Sequence, residues 1–432
     1  MKKIVKIGDF GFNGEGVAKL DDGKIIFIPY ALEGEKVEVI IEKEKSKFST
    51  GKLINVITAS KKRINPPCPY FQICGGCDFQ HLTYEKQLEL KTNIIKNTLF
   101  NVGKIEVNVL PCLGCEKQYH YRNKMAFPIS TALGMFKQNS HDIILINDCL
   151  LDTNFSKKII SIYNKFISEN NIPFYDSKTK TGLLKYLVVR KLDNNYLFTL
   201  VVSQNKLTNS EKLIKLLGEN FENFGLYLNV NNKVTSEILS PNFIHLYGLK
   251  NLIKTENEIT YEIGPHSFMQ VNEEIQSLIY SKVQSLISKD EVVINAYSGA
   301  GLLSAQISKK AKKIISIEIN KEAHECANKL MAKNKIENAQ NFCGDCKNIL
   351  PKITKNLKNF TIILDPPRAG VDKEVIGTIK NAKPNKIIYI SCNAATLARD
   401  IKNFTEYKIA CVQPYDMFPQ TKHIETVVCL TL

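Results

Sequence analysis

Thr361-Ile362-Ile363-Leu364-Asp365-Pro366-Pro367-Arg368 and, further on, Lys386-Ile387-Ile388-Tyr389-Ile390-Ser391-Cys392-Asn393 decide how this chain is read. Each is a largely apolar run that stops abruptly in polar residues. Buried parallel strands have this signature, releasing polar side chains at their carboxyl ends. Ligands and chemistry collect at that edge of an open α/β sheet. Cys392 therefore stands where a nucleophile would, because thiolate is the strongest common side-chain nucleophile near neutral pH. A structural cysteine is the competing reading, since free cysteine is among the most buried residue types. The residues around it must decide.

Working outward, the chain from about residue 265 alternates strand and helix. Strands are predicted at 291–294, 313–317, 340–342, 360–364 and 386–390, with two further β-rich stretches at 407–412 and 425–430. That is a doubly wound sheet with an added terminal hairpin. Its first strand runs into Asn295-Ala296-Tyr297-Ser298-Gly299-Ala300-Gly301, where small residues let the backbone approach a ligand before a helix begins. The next strand ends at Glu318, an acid placed to accept both hydroxyls of a ribose. The G-x-G has no third glycine, so a dinucleotide fingerprint is incomplete. No lysine or Walker hydroxyl is present to grip phosphates. S-adenosylmethionine, an adenosine without phosphate, matches this loop best, with Asp365 at the end of a neighbouring strand and Asp345 a weaker candidate for the adenine amino group.

Bulk properties narrow the partner. The 432 residues suffice for two to four domains. Hydrophobic content of 44% and charged content of 23% are ordinary for a globular protein. No apolar run reaches the ~18 residues of a membrane span, and Met1-Lys2-Lys3-Ile4-Val5-Lys6 turns polar too early for a signal peptide. A cytoplasmic protein with no membrane contact is expected, and nothing in the pattern calls for an obligate protein partner. The net charge of +15 suits a polyanion, most often nucleic acid, although lysines spread over a solvated surface would give the same total.

Three domains are expected. Residues 1–59 carry short strands with glycine corners, the pattern of a small OB-like β-barrel. Such barrels hold single-stranded nucleic acid on basic grooves and aromatic faces, here offered by Phe10, Phe12, Phe27, Tyr30 and Phe48 unless these are simply core. Residues 60–264 read as a central α+β domain, and 265–432 as the sheet described above.

Twelve cysteines in a reducing compartment do not suggest disulfides; their spacing points to metal binding and catalysis. Cys68-x5-Cys74-x2-Cys77 is a dense loop-borne set that needs a fourth ligand. Pairing 74/77 with Cys112-x2-Cys115 would make a four-thiolate zinc site but leave Cys68 unused. A [4Fe–4S] cluster would use all three loop cysteines and one distant partner.

Five ordered segments, Ser267-Phe268-Met269-Gln270-Val271-Asn272, the loop 295–301, Asp365-Pro366-Pro367-Arg368, Ser391-Cys392-Asn393 and His423-Ile424-Glu425-Thr426-Val427, resemble the RNA uracil-C5 methyltransferase family over nearly the whole chain. Tyr121-Arg122-Asn123-Lys124 resembles a further family motif, and the amino-terminal barrel is similar to the TRAM domain of its ribosomal-RNA branch. The resemblance implies a Rossmann-like S-adenosylmethionine-dependent domain with cofactor contacts from Gln270, Tyr297, Glu318 and Asp365. It implies Cys392 as nucleophile and Glu425 as base, and it favours Cys149 as the fourth ligand of a [4Fe–4S] cluster with Cys68, Cys74 and Cys77. The substrate it implies is an unpaired or flipped uridine, in 23S ribosomal RNA ahead of transfer RNA. Arg122, Lys124 and Arg368 are candidate phosphate or base contacts. A cytosine-C5 methyltransferase or a non-catalytic RNA-binding protein are the alternatives. The second leaves Cys392, Glu425 and the cofactor residues without a purpose.

Overall fold

The structure, a computed structural model, describes residues 2–233 and 237–432. The chain divides into two compact units, each assembled from separated stretches. The first holds Met1–Phe71, Cys77–Cys115 and Leu364–Leu432; the second holds Gln72–Gly76 and Glu116–Ile363.

The first unit opens with strands Lys2–Lys6, Asp9–Phe10, Gly16–Lys19, Ile25–Ile28, Lys36–Glu44 and Phe48–Thr58, all in one six-stranded sheet. Alternation drives their pairing: in Lys36–Glu44, Val37 and Val39 are buried while Lys36 is exposed. Val37 and Val39 pack with Val5, Ile7, Ile26 and Ile28. Gly16 has to be glycine, because a Cβ there would meet the carbonyl oxygen of Ala31 at 2.7 Å. The fully buried Glu35 carboxylate accepts from Arg63 Nε at 2.6 Å and Nη2 at 2.7 Å, and from the amides of Leu32 and Ser60. Burial works against its charge, but Arg63 and the two amides outweigh that and hold its carboxyl below the usual range. Of the five rings offered for stacking, Phe12 is the most open at 56% exposed, whereas Phe27 and Phe48 pack edge to face at 5.6 Å.

Helix Tyr84–Thr98 follows, burying Gln87, Leu90, Lys91, Ile94, Ile95 and Thr98 along one face, and it ends in a single π turn, Leu99–Gly103. The same unit contains strands Lys386–Ser391, Lys408–Tyr415 and Glu425–Thr431. Glu425–Thr431 lies in the middle and runs antiparallel to both neighbours, so the terminal hairpin is present as expected.

The second unit contains a mixed five-stranded sheet of Lys124–Pro128, Leu184–Leu192, Asn195–Val202, Asn223–Val230 and Phe243–Gly248. Its one parallel pair is Asn195–Val202 with Asn223–Val230. After the ribbon Leu252–Glu256 and Ile259–Ile263 come the parallel strands Val292–Ala296, Lys313–Glu318 and Ala339–Cys343. Helices Leu302–Ile307 and Lys321–Lys333 alternate with them, and Cys346–Thr354 follows the third. The second unit ends at Ile363, within strand Phe360–Leu364, which is buried at every residue; full burial is what its largely apolar run requires. Among the described residues no helix is long and apolar enough to cross a membrane.

Candidate active site

In the first unit the residues singled out for chemistry share one sheet edge. Ser391 stands opposite Thr426, so the chain enters Cys392 at the edge where the neighbouring strand begins with Glu425. Cys392 is half-buried, and Glu425 is only 5% exposed. Burial pushes the Cys392 thiol above its ordinary value; Glu425 and Asp365 push it further, while Arg368 pulls it back. Burial likewise drives the Glu425 carboxyl up to about 8, Asp365 adding to the rise and Arg368 again opposing it. Asp365 itself is pushed up to about 7 by burial, although its side chain keeps an exposed surface. One cation thus favours the reactive forms of both nucleophile and acid.

Asn393 explains why the cysteine is followed by this residue. It caps helix Ala394–Ile401, accepting from the amides of Ala395 at 3.0 Å and Thr396 at 3.3 Å. Its Nδ2 donates to the carbonyl of Arg368 at 3.3 Å, as does Thr396 Oγ1. Further along that helix, Arg399 Nη2 donates to the Ala369 carbonyl, and Asp400 accepts from the Val371 amide and the Tyr389 hydroxyl, each at 2.8 Å. The Asp-Pro-Pro-Arg loop and the Ser-Cys-Asn loop are therefore one hydrogen-bonded body.

The second unit carries the glycine loop. Tyr297, Gly299 and Gly301 all have positive φ (63°, 54° and 82°), and a Cβ on Gly301 would meet that of Ala327 at 2.9 Å. Glu318 Oε2 accepts the Gly299 amide at 2.8 Å and Oε1 accepts the Asn320 amide at 2.7 Å. The acid and the loop are thus fixed to each other before any ligand arrives. Asp345 caps its helix through the Lys347 amide at 3.0 Å, which ties up one oxygen. Gln270 is held by its main chain: Asn123 Nδ2 donates to the Gln270 carbonyl at 3.2 Å, and the Asn123 amide donates to Val271 at 3.0 Å. The Tyr-Arg-Asn-Lys motif therefore braces the Gln270 segment. Lys124 lies directly opposite Arg190 in the sheet, and burial followed by that neighbouring charge lowers it to about 8.

The cysteines separate into distinct groups. All twelve are free thiols. Cys68 and Cys77 belong to the first unit, Cys74 and Cys149 to the second. Burial raises Cys149 to about 12, and the charge of Cys74 contributes to that rise, so these two sense one another. Yet among the described residues no group of three or more His, Cys, Asp or Glu side chains is placed to hold a metal ion. Cys112 and Cys115 are buried; the Cys115 amide accepts no part in such a site but donates to the Tyr84 hydroxyl at 3.0 Å.

The sequence profile of the family described as tRNA (Uracil-5-)-methyltransferase matches residues 83–432, and that of the TRAM domain matches residues 3–54. The chain belongs to the tRNA (uracil-5-)-methyltransferase family. Curated relatives include an uncharacterized RNA methyltransferase of Clostridium tetani, 36% identical and covering 98% of this chain and 95% of that one. One from Bacillus cereus is 35% identical with the same coverage of 98% and 95%. Among solved structures, the Pyrococcus abyssi tRNA (uracil-54, C5)-methyltransferase in complex with S-adenosyl-L-homocysteine is 25% identical, with a TM-score of 0.80 and 100% of both chains covered. The protein is an S-adenosylmethionine-dependent RNA (uracil-5-)-methyltransferase with an amino-terminal TRAM domain and mixed α/β content.

Some features were not legible beforehand. Phe268, two residues before Gln270, is 79% exposed, a large apolar ring left on the surface. Arg368, a candidate phosphate or base contact, also has a field that lowers both Cys392 and Glu425. Neither exposure nor field strength has a signature in a residue string.

Proposed function

We propose that this methyltransferase acts on C5 of a uridine in 23S ribosomal RNA, with Cys392 as nucleophile and Glu425 as base. The observation that carries the catalytic reading is the mutual influence of Cys392, Glu425, Asp365 and Arg368 within one unit. Perturbed titratable groups of this kind cluster at functional sites. Uracil C5 is too weak a nucleophile to take a methyl group unaided. The Cys392 thiolate forms a bond to C6, and the displaced electron pair loads C5 as an enolate. When bound, S-adenosylmethionine supplies the methyl group that C5 takes. Glu425, as carboxylate, then removes the C5 proton, and the C5–H electron pair re-forms C5=C6 as it expels the Cys392 sulfur. Arg368 favours the anionic form of each residue when that form is needed.

Gln270, Tyr297, Glu318 and Asp365 are the proposed cofactor residues. The left-handed backbone at Gly299 and Gly301 and the prefixed Glu318 suit an adenosine group lying close to main chain. Residues 1–59 would grip RNA, 60–264 form the central domain and 265–432 conduct the transfer. A stacked uridine hides its C5 and C6, so the target must be unpaired or flipped out.

The TRAM domain together with the cysteine loop supports ribosomal RNA as the substrate. Transfer RNA is the second reading, favoured by the likeness to the Pyrococcus abyssi enzyme. Mapping 5-methyluridine in ribosomal and transfer RNA from a deletion strain separates the two. Cys68, Cys74, Cys77 and Cys149 are kept as proposed ligands of a [4Fe–4S] cluster, supported by their spacing and by the Cys74–Cys149 interaction; no catalytic step passes through it. Anaerobic purification with an absorbance scan near 400 nm and iron and zinc assays tests this, and colourless zinc-loaded protein refutes it. For the catalytic pair, Cys392→Ala should form no covalent RNA complex and Glu425→Ala should trap the methylated one. Full turnover by either variant would falsify the assignment.

A further inference from the structure

Tyr415 lies opposite Glu425 in the last hairpin, so Glu425 is the first residue delivered by the turn at 416–424. Helix Tyr84–Thr98 grips that turn with two buried polar side chains. Lys91, with no exposed side-chain surface, pairs with the equally buried Asp416 at 2.5 Å and also donates to the Phe418 carbonyl at 3.3 Å. Gln87, four residues earlier and on the same helix face, bonds Gln420 reciprocally. Its Nε2 donates to Gln420 Oε1 at 3.0 Å, and its Oε1 accepts the Gln420 amide at 3.1 Å. The same Nε2 reaches the carbonyls of Phe79 and Leu82.

A third grip comes from the stretch just after Cys77. The amides of Asp78 and Phe79 both donate to the Gln420 carbonyl, at 2.8 and 3.0 Å, and the Asp78 carboxylate accepts the Lys422 amide at 3.1 Å. Gln420 itself has a φ of +69°, a conformation a non-glycine residue keeps only where its surroundings over-determine it. A buried lysine–aspartate pair is weak support for stability, since apolar replacements of similar volume are often as good. Three separate grips on one turn, one of them a buried ion pair, serve placement better than they serve stability.

We propose that Gln87 and Lys91, aided by Asp78, are positioning residues for Glu425. They hold the 416–424 turn so that the carboxyl group meets the C5 proton after methyl transfer. The inference rests on the reading of Glu425 as the base. It predicts a defect confined to the last half of the reaction, because the clamp's hydrogen bonds to this hairpin end on the 416–424 turn that delivers Glu425.

The test uses full-length protein, methyl-labelled S-adenosylmethionine and total RNA from a deletion strain. Time courses follow the covalent protein–RNA band on denaturing gels and the labelled RNA released. Gln87→Leu, Asp78→Ala and the double variant Lys91→Met with Asp416→Leu are compared with Glu425→Ala. The double variant removes both buried charges together, because Lys91→Met alone would strand a carboxylate and invite misfolding. The expected result is formation of the methylated complex at near wild-type rate, with release slowed by at least roughly tenfold; displacement of a reacting group by about 1 Å can cost ~10²-fold. Folded variants that release RNA at the wild-type rate overturn the proposal, as do variants that lose complex formation and release in equal measure. If the double variant does not fold, Gln87→Leu and Asp78→Ala decide, since neither leaves a buried charge unpaired. Trapping by Glu425→Ala without trapping by the clamp variants rejects the clamp alone. Failure of Glu425→Ala to trap rejects the assignment of the base itself.

Discussion

Product release should depend steeply on pH, with a sign set by the burial of Glu425. Moving an acid from 4.5 to about 8 disfavours its carboxylate by roughly 5 kcal/mol relative to the free side chain. Only the carboxylate can accept the C5 proton, so the protonated form that prevails at neutrality is the inactive one. With a midpoint near 8, about a tenth of the enzyme carries the carboxylate at pH 7 and about nine-tenths at pH 9. Release from a preformed complex should therefore accelerate about tenfold over that interval. The assay forms the covalent complex with labelled methyl donor, chases with unlabelled donor, and follows free methylated RNA in buffers from pH 6.5 to 9.5. Two substitutions move the midpoint in opposite directions. Arg368→Gln removes the charge that pulls Glu425 down, so the midpoint rises; Asp365→Asn removes the charge that pushes it up, so the midpoint falls. Reading the midpoint rather than the amplitude keeps any loss of cofactor binding in Asp365→Asn from confusing the result. A release rate flat between pH 7 and 9, or a midpoint unmoved by both substitutions, refutes the electrostatic account of the base.

Asn393→Ala should cost about 1 kcal/mol of stability through loss of the helix cap, visible as a lower urea midpoint. It should also slow complex formation, because the tie from Nδ2 to the Arg368 carbonyl goes with it; unchanged kinetics would show that the tie is idle. Gly301→Val places a branched side chain at a φ of +82° and against Ala327, so S-adenosylmethionine affinity should fall by at least roughly tenfold in titration calorimetry. Glu318→Gln should weaken the cofactor without affecting the covalent step at saturating donor. A parallel loss of both would place Glu318 outside the ribose role.

Much of the sheet was readable because full burial leaves a direct trace. Residues 360–364 and 386–390 are apolar without alternation, and both strands are indeed buried along their length apart from Lys386. Motif residues at strand ends were readable for the same reason, since polarity begins where the strand stops. The reading was weaker where the partner of a group lies far away in sequence. Lys91 sits at a helical spacing that looks like any solvated lysine, and nothing local reveals that Asp416 neutralises it in the interior. The pKa of Glu425 was hidden likewise, because it depends on burial and on charges carried by other loops. Cysteine spacing pointed to three loop ligands and left the fourth to the family resemblance, because spacing fixes the number of donors and not their convergence.

The ion pair between Lys91 and Asp416 joins residues 325 positions apart. Synthesis proceeds from the amino end, and contacts of such separation form late because loop closure must come before they reward it. Until the segment around Asp416 has left the ribosome, the buried face of helix Tyr84–Thr98 has an ammonium group with no counterion and cannot settle into its final packing. The TRAM strands at the start of the chain leave the ribosome long before that point. The grip on the turn before Glu425 is therefore completed only after the last hairpin has been translated, among the final events of the chain's folding.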